Sequence, residues 1–150
     1  MSQAKVLTEK EIKKVVKVID AQRHATRNRC MFLLTHGSGM RVGEVASLRI
    51  CDVLASDGSI KSEALFTNQK NCQRGFSAST ACQMFHYWYK EAKIEGASSH
   101  SGRRGFITNL ANKGVHVRIL QELAGHSSIA VTQKYIDVNQ DKLRIAVEML

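Results

Sequence analysis

Apolar residues recur at the helical period along most of the chain. Ile12, Val15, Val16 and Ile19 share one face of a segment whose other face carries Lys10, Lys13, Lys14 and Lys17, the pattern of a helix with one buried side. Its start is written just upstream, where Thr8 and Glu11 have capping-box spacing and Leu7 with Ile12 can form a hydrophobic staple. A second helix is predicted from Thr26 to Thr35 with a stop at Gly37. A third runs from about Met40 to Leu48, with Arg41 in its first turn and Glu44 one turn on. From Arg49 to about Ser77 the period shortens toward strands, with Asp57-Gly58 and Lys70-Asn71 as turn candidates. A small three-stranded antiparallel sheet is expected there. Helical spacing returns from Ser79 to about Glu95, ending at Gly96, with Met84, Phe85, Trp88 and Ala92 inward and His86 on the surface. Those aromatics follow helical spacing and read as core, not as a platform for stacking bases.

Three more helices close the pattern. The first begins at a Ser99 or Ser101 cap and runs through Phe106, Ile107 and Leu110 to Gly114. The second spans Val117 to Ala124 and stops at Gly125; the third is capped by Ser127 or Ser128 and carries Tyr135. Leu143, Val147 and Leu150 keep a helical period beyond it. The fold class is therefore mainly α with a small antiparallel β-sheet.

Composition narrows the partner. At 150 residues and 43% hydrophobic content the chain suits one domain, residues 1–150, with a true core. Its formal charge of +9 implies an acidic partner, although scattered Lys and Arg by themselves only solubilise a surface. Their distribution adds weight, since ten of the 22 basic residues fall before position 50 against four acids, Glu9, Glu11, Asp20 and Glu44. Such a basic face is the usual electrostatic footprint for a nucleic-acid backbone. No apolar run approaches membrane-spanning length, and Met1 to Lys5 lacks the apolar stretch of a signal peptide, so an intracellular protein is expected. Cys30, Cys51, Cys72 and Cys82 lack the Cys-x-x-Cys spacing of a zinc or redox site and read as free thiols, at least two of them buried.

The Gly37-Ser38-Gly39-Met40-Arg41-Val42-Gly43 segment invites a dinucleotide-loop reading, but the sixth position of Gly-x-Gly-x-x-Gly would be Val42 and the preceding residues suit helix better than strand. The stronger chemistry lies later. His100 and Arg103, three apart, meet on one face at a helix N-terminus, where unpaired amides already favour an anion such as phosphate. His126 follows the Gly125 stop, and Tyr135 comes nine residues on. A nucleophile, two imidazoles and a guanidinium in one short helical region read as a phosphoryl-transfer site. Taken singly, each has a blander reading: Arg41 a surface Arg paired with Glu44, Lys70 a solubilising residue at a hairpin tip, and a lone Tyr or His a structural group.

In order, Arg41, Lys70, His100-x-x-Arg103, His126 within Leu123-Ala124-Gly125-His126, and Tyr135 resemble the catalytic core of the tyrosine recombinases, or phage integrases. Gly39-Met40-Arg41-Val42-Gly43-Glu44 is similar to that family's Gly-Leu-Arg-Ile-Ser-Glu, whereas Arg104 and Gly105 stand where many members carry His and Thr. The resemblance runs from about Leu7 to the C-terminus, half of what such an enzyme usually contains, and implies that an N-terminal core-binding domain is absent from this chain. It implies the DNA breaking-rejoining fold and site-specific recombination or integration through a covalent 3'-phosphotyrosine at Tyr135. In that scheme Arg41 and Arg103 bind the phosphodiester, His126 adds a hydrogen bond, His100 is general base and acid, Lys70 protonates the leaving oxygen and Glu44 orients Arg41. It implies no cofactor and no metal. Its partners would be double-stranded DNA and other protomers in a tetrameric synapse, with no membrane; the protein would be cytoplasmic and of bacterial or phage origin. Two alternatives stay open: a DNA-binding remnant without productive strand exchange, and a relaxer like the type IB topoisomerases. Tyr135, on a short helix with a weakly anchored tail, is the member able to stand apart from the Arg pair without DNA.

Overall fold

The computed structural model describes residues 3–61, 77–136 and 148. Helix α1, Glu9–Asp20, starts as its sequence dictates: Glu11 N donates to Thr8 Oγ1 at 3.3 Å, and Thr8 N donates back to Glu11 Oε2 at 2.9 Å. Lys5 adds a 2.6 Å ion pair to Glu11 and holds that carboxyl below its ordinary value. The helix buries Val15 and Ile19. Helices α2 (Ala25–Gly37), α3 (Val42–Ser47), α4 (Ile50–Val53), α5 (Ala78–Glu91), α6 (Ser101–Asn112), α7 (Val117–Ala124) and α8 (Ile129–Gln133) follow. No described helix is long and apolar enough to cross a membrane.

Packing divides into two clusters. In the larger, α1 lies on α2 and α5, and α3 joins α5. Phe32 of α2 is its hub, with the rings of Phe85, Trp88 and Tyr89 of α5 at centroid distances of 6.0, 6.4 and 6.2 Å. Trp88 satisfies its indole N–H on Gln22 Oε1 at 3.0 Å, as a buried indole must. Tyr89, not Met84, completes the inner face of α5; Met84 is only half-buried, and α5 ends at Glu91 with Lys93 in the left-handed region. The smaller cluster is Ile107, Leu120 and Ala124, with Phe106, Leu110 and Tyr135 against it.

The expected three-stranded sheet is not borne out: among the described residues there is no strand. A single antiparallel bridge joins Leu54 to Ile60. The strand reading failed at Arg49, whose N–H donates to Asp52 Oδ2 at 2.9 Å while its guanidinium reaches Asp52 Oδ1 at 3.1 Å, so that a helical turn, α4, starts where extension was expected. Asp57-Gly58 does turn, with Gly58 at φ +82 and Asp57 Oδ1 accepting from Ser59 N. Lys70-Asn71 and Cys72 lie outside the described residues. Cys30, Cys51 and Cys82 are free thiols, but the expectation that at least two are buried fails: Cys30 and Cys51 are exposed and Cys82 is half-buried. Cys30 falls off the inner stripe of α2, which is made by Asn28, Met31, Phe32 and Thr35.

Two features of α2 carry predictions. Helix α6 approaches α2 so closely at Gly102 that a Cβ there would stand 2.8 Å from Thr35 Cβ and 2.9 Å from the Thr35 carbonyl carbon. Backbone cannot yield as a flexible side chain can. Gly102→Ala is expected to destabilise the fold by about 1–3 kcal/mol, the usual range for overpacking. A urea midpoint equal to that of the wild type would show that the two helices separate without strain.

The second feature is His36. Its Nε2 is buried without a hydrogen-bond partner and its ring lies 4.4 Å from that of Phe32; burial pushes the imidazole from 6.5 down to about 4. The unfolded chain therefore binds a proton that the folded chain refuses between those two values. Stability is at its full value above pH 6.5 and falls as the pH drops toward 4. The loss is about 3 kcal/mol from the shift alone. Denaturant midpoints across this window should show it, and His36→Leu should flatten that part of the profile; a wild-type profile already flat there would place the ring in contact with water.

Candidate active site

The site is assembled at the C-terminal end of α7, where helix carbonyls lack intrahelical partners and attract cations. Arg103 reaches it from α6. Its guanidinium is buried, with Nη1 donating to Gly39 O at 2.8 Å and Nη2 donating to Ala124 O. Gly39 holds φ +68, and a Cβ on it would meet the Phe106 ring at 2.5 Å, so only glycine brings this carbonyl to Arg103. Arg41 reaches the same helix end from the other side. It is the N-cap of α3, where Glu44 takes Arg41 N–H on Oε2 at 2.7 Å and Nη1 on Oε1 at 2.7 Å. Its Nη2 then points to Gly125 O at 3.4 Å. The expected first-turn Arg thus sits one position before the helix, and the expected Glu44 partner orients it.

Two guanidiniums beside one carboxylate leave a net positive site. Arg103 registers this: burial, and next the neighbouring Arg41, push its ionisation below the ordinary value, while Glu44 and Tyr135 oppose the shift. An anion bound here would relieve the repulsion.

His126 enters through the left-handed Gly125, φ +56, which ends α7. Its backbone is clamped from both sides, with His126 N donating to Gln121 O at 3.1 Å and Gln121 Nε2 donating to His126 O at 3.0 Å. Its Nδ1 lies 2.9 Å from Thr132 Oγ1. Burial, then Arg103 and Arg41, push its ionisation below 6.5.

Tyr135 lies two residues beyond α8, not within it. Its ring stacks on His126 at 5.2 Å and 25°, Thr108 Oγ1 donates to its carbonyl at 2.7 Å, and its side chain lies close enough to the Arg103 guanidinium to favour that group's charged form. The nucleophile candidate therefore sits beside Arg103 and His126 without DNA, although the sequence left it able to stand apart. His100 occupies the N-cap of α6, exposed, and lines with Arg104, Lys134 and Tyr135 an open cavity of about 590 Å³. Five of the six sequence candidates are thus described; Lys70 lies outside the described residues. Among the described residues no group of three or more His, Cys, Asp or Glu could hold a metal ion. Gly39, Thr108, Gln121 and Thr132 are the supports that motif reading missed. Only Gly39 carried a signal, as the residue before Met40-Arg41 in a glycine-rich turn.

The sequence profile of the phage integrase family matches residues 5–61 and 55–142, which is most of the chain. This chain belongs to the phage integrase family. Among curated relatives of this integrase-family chain, the tyrosine recombinase XerA of Pyrococcus furiosus is 29% identical, covering 96% of this chain and 61% of its own length. The tyrosine recombinase XerD of Corynebacterium glutamicum is 28% identical, over 89% and 58%. The chain spans about three fifths of these relatives. Among solved structures, XerA recombinase superposes with a TM-score of 0.70 at 22% identity, covering 99% of this chain and 66% of that one. The Tn1549 transposon integrase in complex with transposon right end DNA superposes at 0.73 and 18% identity, covering 100% and 67%. At these identities the likeness establishes a shared tyrosine-recombinase fold.

Proposed function

We propose that this chain is the catalytic part of a site-specific DNA recombinase that cleaves and rejoins strands through a covalent 3'-phosphotyrosine. The observation that carries the reading is the convergence of Arg41, Arg103, His126 and Tyr135 at the end of α7. The substrate is double-stranded DNA. The two guanidiniums bind the non-bridging oxygens of one phosphodiester and stabilise the charge that builds in the pentacoordinate transition state. Tyr135 Oη attacks phosphorus while the bond to the 5'-oxygen breaks. His100 accepts the tyrosine proton and returns it on rejoining, and His126 donates a further hydrogen bond. Lys70 gives its proton to the leaving oxygen, an assignment that rests on its place in the family's residue order. Because the phosphotyrosine conserves the energy of the broken DNA bond, rejoining needs no nucleotide cofactor.

The names of the relatives support recombination over topoisomerase-like relaxation. The functional unit includes other protomers in a tetrameric synapse and an N-terminal domain that clamps the duplex. Residues 1–150 form the catalytic domain. The test is to offer the chain a nicked suicide duplex bearing a candidate target and look for a denaturant-resistant protein–DNA product. An adduct is expected. If none forms even with a core-binding domain supplied, the chain is a DNA-binding remnant.

A further inference from the structure

Thr132 touches both partners of the site's aromatic stack. It is fully buried, its Oγ1 lies 2.9 Å from His126 Nδ1, and its carbonyl accepts from Tyr135 N at 2.9 Å. The main-chain contact belongs to any residue at this position. The hydroxyl contact does not, and it sits on the ring nitrogen that decides which form of His126 faces the substrate.

A neutral imidazole carries one proton, so a partner on one ring nitrogen fixes the role of the other. We propose that Thr132 is a positioning residue that fixes the tautomer of His126, its hydroxyl donating to Nδ1 so that the ring proton resides on Nε2 as the donor to the phosphodiester. The consequence for chemistry rests on the function proposed above. With the proton on Nδ1 instead, His126 would present a lone pair to phosphate oxygens that already carry negative charge. The neighbouring guanidiniums of Arg41 and Arg103 disfavour a second proton on the ring, and burial does so more strongly, which keeps the neutral form and makes its tautomer matter. Gln121 holds only the backbone of His126 and cannot choose between the ring nitrogens. Thr108 likewise holds only the backbone of Tyr135. Among these supports, Thr132 alone acts on a reacting group's proton.

The test has a spectroscopic arm and a kinetic arm. Long-range ¹H–¹⁵N spectra of the 150-residue chain above pH 7, with His126 assigned by its loss in His126→Asn, should show the Nε2–H tautomer in the wild type. Thr132→Val, which keeps the shape and removes the donor, should shift the ring toward a tautomer mixture. Thr132→Ser should restore the wild-type pattern. In single-turnover cleavage of a nicked duplex, Thr132→Val should be about tenfold slower, the rate equivalent of one net hydrogen bond, with Thr132→Ser recovering most of the rate and DNA affinity unchanged in both. A wild-type His126 found as Nδ1–H overturns the proposal, as does a Thr132→Val chain that cleaves at the wild-type rate. If wild type cleaves nothing even with a core-binding domain supplied, the recombinase reading fails, and the tautomer spectra still decide the role of Thr132.

Discussion

Tyr135→Phe is expected to abolish the covalent protein–DNA product while leaving DNA binding nearly intact. The substitution removes one oxygen and little else. The ring keeps its 5.2 Å stack on His126, and the bond from Thr108 Oγ1 goes to the Tyr135 carbonyl, which phenylalanine retains. Losing the hydroxyl beside Arg103 costs at most the net worth of one hydrogen bond, about 0.5–1.5 kcal/mol, too little to displace a segment also held through Tyr135 N on Thr132 O. A folded, binding-competent chain should therefore remain with no nucleophile. The measurement is a denaturing gel of chain incubated with the nicked duplex, beside a binding assay at equal salt, since phosphate contacts make affinity salt-dependent. An adduct that persists in Tyr135→Phe would mean that another residue attacks.

Much of this site was legible because its signals are local. The Thr8-x-x-Glu11 box set the start of α1, and Gly125 set the end of α7 at Ala124 as read from the sequence. Arg41 with Glu44 is a contact over three positions, and His126 is placed by the helix stop one residue before it. What was not legible acts across distance. Gly39 serves Arg103, Thr108 serves Tyr135, and nothing in the residues near Gly39 or Thr108 announces the partner that folding brings. The sheet expectation erred for the converse reason: residues 50–61 hold mixed apolar and polar positions that fit a short strand. One local pair, Arg49 with Asp52, tips the start of that stretch into a helical turn.

Arg103→Ala is expected to impair both binding and cleavage, with cleavage falling by about 10²–10³ beyond the loss in binding, as for removal of a donor to a developing oxyanion. The structure separates two roles of the side chain. A guanidinium has five N–H donors. Two of its bonds go to Gly39 O and Ala124 O, which fasten α6 to the turn before α3 and to the end of α7. The remaining capacity lies beside Tyr135 and is available to a bound phosphate. Alanine removes everything and leaves two carbonyls in search of partners, so its fold must be checked by denaturation. Arg103→Lys keeps the charge but is a point donor that cannot bridge both carbonyls and a phosphate at once; it should bind DNA better than the alanine variant and still cleave poorly. A readout independent of DNA is the titration of His126. Arg103 is among the causes that push that imidazole down, after burial and ahead of Arg41, so Arg103→Ala should raise its pKa and Arg103→Lys should raise it less. An unmoved His126 titration in a folded alanine variant would mean that the two side chains do not share one electrostatic site, and the convergence on which the recombinase reading stands would have to be redrawn.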